Sequence, residues 1–255
     1  MSAEPVPTSS EQGFSARAWA HVQPWYEAVL THPFVTALLD GSLDADVFAR
    51  YLVDDAHYLA GYGRALALAA ARAPDTDGLG LLAGAAQGAV LAERVLHREH
   101  LAGRGLDPDA TGGPEPTPTC LAYVHTLVAD AALAPVGVAV AGLLPCFRVY
   151  AEVGAHVAAR ATGADHPYRA WVDTYADPDF AAAVRSAEQL ADRLAVGAHP
   201  DEQQRMLVAY ERSVRFEWMF WEASWRGEGW PAPNRKVMSR VAAPLWAGSG
   251  QAPVR

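Results

Sequence analysis

The sequence predicts an all-α protein folded as a single-domain helical bundle. Apolar residues recur at helical spacing along most of the chain, and β-branched runs with period-two alternation are nearly absent. Hydrophobic residues make up 51% of the 255 residues, which is enough for a sizeable core. Because the breaks between apolar stretches do not separate two self-sufficient cores, one bundle is the simplest architecture.

Composition excludes several classes of partner. The formal net charge is -9, from 20 basic and 29 acidic residues, and no basic cluster stands out, which argues against nucleic acid and anionic membrane surfaces. The first twelve residues lack the cationic and apolar regions of a signal peptide. The apolar run over 131–147 is shorter than the ~20 residues of a membrane span, so we expect a buried core helix there. Two cysteines, Cys120 and Cys146, do not make a disulfide framework and fit a reducing cytoplasm.

Helical periodicity predicts eight helices in chain order. The clearest break, over 103–119, is rich in Gly, Pro and Asp and predicts a surface loop. We expect a flexible N-terminal segment over 1–13, the helical domain over 14–231 and a C-terminal tail over 232–255. The predicted helices span residues 15–31, 44–73, 77–103, 118–130, 135–161, 166–176, 179–197 and 200–228.

The predicted helix over 44–73 carries an aspartate within an aromatic face. Residues at steps of three and four lie on one side of a helix, so Asp55 shares its face with four aromatic rings. A carboxylate there is costly to bury unless it is hydrogen-bonded or paired. Asp55 therefore either bonds a tyrosine or arginine to lock the core, or binds the amino or ring-nitrogen donors of a ligand. The aromatic members of this face are Phe48, Tyr51, Tyr58 and Tyr62.

The next predicted helix, over 77–103, offers a possible metal site. Glu93, His97 and His100 stand at i, i+4 and i+7, a spacing that brings side chains to one face. Charged residues are interleaved with them, which favours an ordinary solvated helix face. The sequence contains neither a His-Glu-x-x-His motif nor a paired-cysteine zinc pattern. We therefore predict no metal and no cofactor.

The predicted helix over 135–161 contains Cys146 directly after a proline. Pro145 cannot donate to the carbonyl of Ala141 and tends to kink a helix, which can direct a side chain into a cavity. A lone cysteine is more often a small buried hydrophobe, and the alternative is a nucleophile. Tyr150 follows one turn later on the same face, and Tyr123, in the helix over 118–130, is a further candidate.

The last predicted helix places a second carboxyl group among aromatic rings. Glu217 shares one face with Tyr210, Ser213 and Phe220, and desolvation there would raise its pKa toward the range that a general acid needs. Glu222, five residues on, has a position that can face solvent. A thiol, two carboxyl groups and several tyrosines thus supply the parts for nucleophilic attack with acid–base support, provided that four helices bring them into one pocket.

Five stretches of the sequence resemble the TenA family, also called thiaminase II. They run in the family's order over about residues 14–231. The cysteine stretch, Leu-Pro-Cys-Phe-Arg-Val-Tyr, and the C-terminal Glu-x-x-Phe-Trp are its most specific parts. The matching stretches are 32–35 with 40–41, 48–59, 144–154, 168–175, and 216–223 with 229–231.

The resemblance implies an all-α fold like that of haem oxygenase, without haem, usually assembled as a tetramer. It implies hydrolysis of 4-amino-5-aminomethyl-2-methylpyrimidine, a thiamin breakdown product, to the hydroxymethyl pyrimidine and ammonia, and cleavage of thiamin itself. It also implies that Cys146 is the nucleophile, that Glu217 is the acid–base and that Asp55 binds the pyrimidine. The pocket aromatics match Tyr58, Tyr123, Tyr150 and Phe220, together with Tyr175, where the spacing is shifted by one.

Three departures from the family pattern leave the natural substrate open. Arg148 stands where an aromatic or apolar residue is expected, and His57, which we expect to be structural, replaces a frequent tyrosine. The tail after Pro231 extends past the family's usual end. One alternative is a haem-oxygenase-like diiron oxidase using Glu93, His100 and Glu152, although the expected His-x-x-x-Asp-x-x-His stretch is absent. Another is a TenA-like homologue that acts on or binds a different small molecule.

Overall fold

The computed structural model of the chain describes residues 13–96, 113–161 and 165–232. Within these ranges it contains ten α-helices and no β-strand, so the all-α prediction is confirmed. The helices are α1 (Phe14–His21), α2 (Gln23–Leu30), α3 (Pro33–Asp40), α4 (Ala45–Ala70), α5 (Thr76–Leu96), α6 (Pro118–Leu133), α7 (Val136–Ala158), α8 (Arg169–Tyr175), α9 (Pro178–Val196) and α10 (Pro200–Arg226).

The predicted single helix over 15–31 is wrong, because two helices occupy this region. They separate at Val22, the residue between α1 and α2. Pro24 lies in the first turn of α2, where its missing N–H is not needed. A continuous helix would require that N–H and would bring the proline ring against the preceding turn.

Helix α3 was not predicted, because it is too short to show a periodic pattern. Its ends nevertheless carry recognisable signals. Pro33 opens the helix, and the Nδ1 atom of His32 accepts a 3.1 Å hydrogen bond from the backbone N–H of Phe34. Gly41 closes it with φ 76°, a left-handed conformation that glycine adopts without strain.

The other predicted helices agree with the structure to within three residues at each described end. The predictions for residues 1–12, for 97–103 and for the tail from 233 onward lie outside the described residues. Of the loop predicted over 103–119, residues 113–117 are non-helical as predicted, whereas residues 118 and 119 already belong to α6.

The centre of the bundle is formed by three long helices, α4, α7 and α10. Helix α4 packs against α5 and α6, and α7 packs against α9 and α10. By length and composition α7 is long and apolar enough to cross a membrane, the one such helix in the described ranges, and 67% of its most apolar window is buried inside the fold. It runs without a break through Pro145 as a buried core helix.

Glycines set two of the close helix contacts that shape the interior. A Cβ atom on Gly61 would lie 2.2 Å from a methyl carbon of Val124, so α4 approaches α6 closely at this point. A Cβ atom on Gly154 would lie 2.6 Å from the Cβ of Tyr175. This second contact holds Tyr175 against α7, where its ring centroid lies 4.8 Å from that of Tyr150.

The start of α6 is fixed to α4 through one buried carboxylate. The Asp54 oxygens accept hydrogen bonds from the Thr117 backbone N–H at 2.8 Å and from its hydroxyl at 2.6 Å. Thr117 Oγ1 in turn accepts from the backbone N–H of Cys120 at 3.1 Å, and the Cys120 thiol donates to the carbonyl of Asp54. Cys120 therefore has a structural role, since it helps to pack the start of α6 against α4.

Candidate active site

A cavity of about 550 Å³ lies among α4, α5, α7, α8 and α9. Five of the eight residues predicted for the site line it: Asp55, Tyr58, Cys146, Tyr150 and Tyr175. The other lining residues are largely apolar and comprise Leu59, Tyr62, Gly80, Leu81, Gly84, Ala85, Gly88, Ala89, Phe147, Thr174, Phe180 and Ala183.

Asp55 brings a carboxyl group without an internal partner into this cavity. Its residue is 2% exposed, and no group in the described part of the chain donates a hydrogen bond to it. Burial, followed by the nearby charge of Asp54, raises the pKa of Asp55 to about 7. An aspartate bonded to a core tyrosine or arginine would have such a partner, so the geometry favours the ligand-binding interpretation.

Cys146 faces the same cavity from α7. Burial raises the pKa of its thiol well above the ordinary value, and the nearby Glu217 carboxyl raises it further. The neighbouring hydroxyl groups of Tyr58 and Tyr62 lower the pKa of the thiol and so oppose this shift. In the ligand-free protein Cys146 is therefore a neutral thiol, and nucleophilic attack requires a base that removes its proton.

Glu217 lies behind the cavity wall and is 2% exposed. Burial raises the pKa of its carboxyl to about 8, and the Asp55 charge adds to this effect. A hydrogen bond from Tyr123 Oη to Glu217 Oε1, at 2.7 Å, acts in the opposite direction. Glu217 therefore changes protonation near neutral pH, as the sequence analysis expected from its aromatic surroundings.

Tyr123 and Phe220, like Glu217, do not line the cavity and form a second layer behind its wall. Both rings pack against Tyr58, with centroid distances of 4.9 Å for Tyr123 and 5.7 Å for Phe220. The structure thus brings all eight predicted residues into one region, with five at the cavity and three behind it.

A hydrogen-bonded aromatic chain supports Tyr150 from the side away from the cavity. Trp171 Nε1 donates to Tyr51 Oη at 3.2 Å, and Tyr51 Oη donates to Tyr150 Oη at the same distance. Because an indole N–H can only donate, Trp171 fixes Tyr51 as the acceptor in that contact. Tyr51 lies on the predicted aromatic face of Asp55, whereas no role was predicted for Trp171.

Two further parts of the cavity wall were missed. Tyr62 stacks on Tyr58 with ring centroids 5.3 Å apart, and its hydroxyl donates a 2.8 Å hydrogen bond to the carbonyl of Leu143 on α7. The other part is α5, whose glycines recur every fourth residue. The sequence shows this spacing as Gly-x-x-x-Gly-x-x-x-Gly over 80–88, and this pattern is the feature from which α5 could have been predicted to line the cavity.

The two residues that depart from the family pattern have structural contacts and do not line the cavity. Arg148 forms ion pairs with Glu188 at 2.6 Å and with Glu152 at 2.8 Å, and its guanidinium lies 4.8 Å from the ring centroid of Trp19. The Nε2 atom of His57 lies 2.9 Å from the carbonyl oxygen of Pro114.

The remaining acidic and histidine candidates do not form a metal site in the described structure. The Glu152 carboxylate pairs with Arg148, and Glu222 lies 3.0 Å from the buried ring of His32, away from the cavity. The side chains of Glu93, His97 and His100 lie outside the described part of the chain. Among the described residues, no group of three or more His, Cys, Asp or Glu side chains is arranged to hold a metal.

Two curated proteins are similar to this chain over most of its length. A thiamine biosynthesis multifunctional protein, ThiED, of Corynebacterium efficiens is 34% identical over 89% of this chain. The chain spans only 30% of that relative's length. An aminopyrimidine aminohydrolase of Bacillus subtilis is 30% identical over 90% of this chain and 97% of its own length.

Solved structures and a family model agree with this similarity. A TenA homologue from P. horikoshii superposes with a TM-score of 0.75 at 26% identity, covering 85% of this chain and all of the other. A haem-oxygenase-like domain of unknown function from Shewanella denitrificans, 15% identical, gives a TM-score of 0.63 over 91% of this chain and 98% of the other, which confirms the predicted fold. Residues 19–227 match the model of the TENA/THI-4/PQQC family. The chain therefore belongs to the TENA/THI-4/PQQC family.

Proposed function

We propose that this chain hydrolyses 4-amino-5-aminomethyl-2-methylpyrimidine to the hydroxymethyl pyrimidine and ammonia. The observation that carries the proposal is that the Cys146 thiol and the Asp55 carboxyl group face one cavity from neighbouring helices, among tyrosine rings. The chain belongs to a family with a full-length aminopyrimidine aminohydrolase relative, so it is an enzyme of that type in thiamin metabolism.

Asp55 is the proposed anchor for the substrate. An ionised carboxylate offers only acceptors, which match the amino group and a protonated ring nitrogen of an aminopyrimidine. Because no described group already donates to Asp55, its oxygens are available to a ligand. The surrounding rings of Tyr58, Tyr150 and Tyr175 offer aromatic faces and edges against which a flat heterocycle packs well.

Glu217 is the proposed base for the nucleophile. Its charge raises the pKa of the Cys146 thiol, which supports a direct electrostatic link between the two groups across the cavity wall. As sulfur bonds to a carbon of the pyrimidine ring, the thiol proton passes to the Glu217 carboxylate, and a ring nitrogen takes up the displaced electron pair. This addition removes the aromaticity that otherwise resists displacement of the amine.

The remaining steps restore the enzyme. The substrate amine leaves as ammonia with the electron pair of its carbon–nitrogen bond, after it receives the proton held by Glu217. Water then adds to the exocyclic carbon and returns one proton to the carboxylate. Finally the carbon–sulfur bond breaks, the ring becomes aromatic again and Cys146 regains its proton.

Ammonia release from a panel of aminomethyl pyrimidines and thiamin analogues tests this function. We expect release from the 4-amino-2-methyl compound, and a strong loss when the 4-amino group that Asp55 is proposed to bind is absent. Calorimetric binding of the pyrimidine without ammonia release would instead indicate a binding protein. Iron analysis of the purified protein tests the diiron alternative.

Tetramer formation and a cytoplasmic location complete the proposal. Both follow from the resemblance and the cysteine content, and sedimentation analysis with cell fractionation tests them. A monomer in solution would contradict the assembly without affecting the proposed chemistry, because all the proposed chemical groups belong to one chain.

A further inference from the structure

Cys146 lacks the groups that usually stabilise a thiolate. Reactive cysteines commonly lie beside a lysine, an arginine or a protonated histidine, or at the N-terminus of a helix. Cys146 instead lies in the middle of α7, and no lysine, arginine or histidine occurs among the described residues that line its cavity. The attack by sulfur in the proposed reaction therefore depends on neutral hydrogen-bond donors that stabilise the thiolate.

Two tyrosines of α4 bring their hydroxyl groups to this cavity. Tyr58 and Tyr62 are one turn apart, and their rings stack with centroids 5.3 Å apart. Both residues line the cavity and are almost fully buried, at 2% and 4% exposure. The Tyr58 hydroxyl has no hydrogen-bond partner in the described structure, whereas the Tyr62 hydroxyl donates to the carbonyl oxygen of Leu143 on α7. A buried hydroxyl without a partner, such as that of Tyr58, is available to a group that becomes charged during the reaction.

The hydrogen bond from Tyr62 lies at the turn of α7 that carries Cys146. Side chains of a helix lean toward its N-terminus, so the Cys146 side chain lies over the turn that contains Leu143, three residues earlier. The Tyr62 hydroxyl, 2.8 Å from the Leu143 carbonyl oxygen, is therefore next to the sulfur. The lowering of the thiol pKa by this hydroxyl agrees with such a contact. On the other side of the turn, the Tyr62 ring packs against Phe147 with centroids 6.0 Å apart.

Pro145 gives the contact between Tyr62 and α7 a second purpose. A proline has no N–H, so α7 lacks one of its own hydrogen bonds in the turn before Cys146. The bond from Tyr62 joins that turn to α4 and holds it in place. Leu143 does not depend on this bond alone, because in a continuous helix its carbonyl also accepts from the backbone N–H of Phe147. The Tyr62 hydroxyl can therefore turn away without leaving a buried carbonyl unpaired.

We propose that Tyr62 is a further catalytic residue, whose hydroxyl bonds the Leu143 carbonyl while Cys146 is a thiol and donates to the sulfur once the thiolate forms. Rotation about the carbon–oxygen bond of the phenol redirects the O–H group. No covalent bond forms or breaks, and the proton stays on the phenol oxygen. The role in turnover rests on the proposed function, whereas the contact with the thiolate is tested independently of it.

The exchange of hydrogen bonds favours the thiolate. A hydrogen bond to an ionised group is roughly twice as strong as one between neutral groups, so the sulfur anion is the better acceptor. Burial raises the pKa of Tyr62 well above its ordinary value, which keeps the phenol protonated as a donor. The same bond stabilises the sulfur when it leaves the pyrimidine ring in the last step of the proposed reaction.

The other titratable groups around Cys146 do not supply a positive charge. The carboxyl groups of Glu217 and Asp55 raise the pKa of the thiol. The residues that α5 and α9 contribute to the cavity are glycines and apolar residues. Hydroxyl groups are therefore the donors that this part of the structure offers to a thiolate. The titratable groups from the surrounding helices are Asp55 and Tyr58 on α4, Tyr123 on α6, Tyr150 on α7, Tyr175 on α8 and Glu217 on α10.

Alkylation of Cys146 by iodoacetamide measures its thiolate fraction without requiring turnover. The parent is Cys120→Ser, which leaves Cys146 as the single cysteine of the chain. One variant adds Tyr62→Phe. The matched control adds Tyr210→Phe, which removes the hydroxyl of a buried tyrosine on α10 that does not line the cavity. Melting curves show whether each protein is folded at the pH of the assay.

We expect Tyr62→Phe to slow alkylation by about threefold to tenfold below the thiol pKa, the difference between a charged and a neutral hydrogen bond. Tyr210→Phe should leave the rate unchanged. The direction distinguishes this effect from a change of access, since removal of a hydroxyl from the cavity wall would speed the reaction of the sulfur. If Tyr62→Phe does not fold, 3-fluorotyrosine at the same position, a stronger donor of almost equal size, should accelerate alkylation.

Ammonia release gives the second measurement. The kcat of Tyr62→Phe should fall about tenfold while KM changes less than about threefold, because the hydroxyl bonds the sulfur and not the pyrimidine. Alkylation that is unchanged or faster in Tyr62→Phe, or slowed equally in Tyr210→Phe, would overturn the inference even if the unmodified protein releases ammonia. Slower alkylation confined to Tyr62→Phe, in a protein that releases no ammonia from any pyrimidine, would support the contact with the thiolate and reject the proposed function.

Discussion

Tyr123 Oη donates a 2.7 Å hydrogen bond to Glu217 Oε1, joining α6 to α10 behind the cavity. Both residues are almost fully buried, at 1% and 2% exposure. Burial raises the pKa of Glu217 and this hydrogen bond lowers it, so the resulting value of about 8 depends on the contact. The tyrosine is therefore a positioning residue that brings the carboxyl group into the pH range where it exchanges protons.

Replacing this tyrosine should change the pH dependence of the reaction. In the proposed mechanism the ionised Glu217 takes the thiol proton, so kcat/KM falls as the pH drops below the pKa of Glu217. Tyr123→Phe removes a donor to the carboxylate, and a hydrogen bond to a charged group contributes about 1.5–3 kcal/mol. We expect the acidic limb of the pH profile to move upward by about one to two pH units. An unchanged limb would assign the profile to another group.

Removal of the carboxyl group itself should affect rate more than binding. Acid–base assistance typically contributes about 10²–10⁴-fold, so we expect Glu217→Gln to lower kcat by that factor. The affinity for the hydroxymethyl aminopyrimidine, measured by calorimetry, should change only a few-fold, because Glu217 does not line the cavity. Parallel losses of affinity and rate would instead indicate that Glu217 holds the site together.

The two cysteines should differ sharply in their importance for turnover. We expect Cys146→Ser to abolish ammonia release while folding and pyrimidine binding persist, because a serine hydroxyl is a much weaker nucleophile than a thiolate. Cys120→Ser is the matched control, since that thiol bonds the carbonyl of Asp54 at the start of α6 and does not line the cavity. Near-normal turnover by Cys146→Ser would reject the covalent mechanism.

Asp55→Asn should weaken binding in a ligand-specific way. The amide keeps one acceptor oxygen but presents an NH₂ group to the donors of the pyrimidine. A loss of about 1.5–3 kcal/mol corresponds to roughly 10–150-fold weaker binding of the hydroxymethyl aminopyrimidine. An analogue without the 4-amino group should bind both proteins weakly and almost equally. Calorimetric titration would reveal equal losses for the two ligands if Asp55 had only a structural role.

The same substitution should stabilise the ligand-free fold, with the effect growing as the pH rises. The folded state keeps a proton on Asp55 up to a pKa of about 7, whereas the unfolded state loses it near 3.8, so this group's contribution to stability falls between those pH values. Each unit of pKa shift corresponds to about 1.4 kcal/mol. The total is up to about 4 kcal/mol at pH 8.5.

Melting curves measure this effect on stability. Asp55→Asn should raise the Tm more at pH 8.5 than at pH 5, by several degrees, since about 1 kcal/mol shifts the Tm by ~2–4 °C in a domain of this size. A difference in Tm that does not depend on pH would indicate that the Asp55 carboxyl group titrates normally.

The amino-acid sequence was sufficient for the fold class and for most helix positions. Amphipathic periodicity is a local property that long helices such as α4, α7 and α10 display over many turns. It also placed Asp55 and Glu217 on aromatic faces, because residue spacing within one helix determines which side chains share a side. Periodicity did not predict the short helices. Helix α3 has too few turns to show a repeat, and the break between α1 and α2 depends on a single proline.

Only the tertiary structure decided how these helices distribute the site residues between two layers. Periodicity shows that Glu217 is buried but not that it contacts Tyr123 instead of the cavity, because that choice depends on how α10 sits against α6. The same reason applies to α5. In the sequence its glycines are only weak helix formers, and the structure alone shows that they line the cavity that contains Cys146 and Asp55.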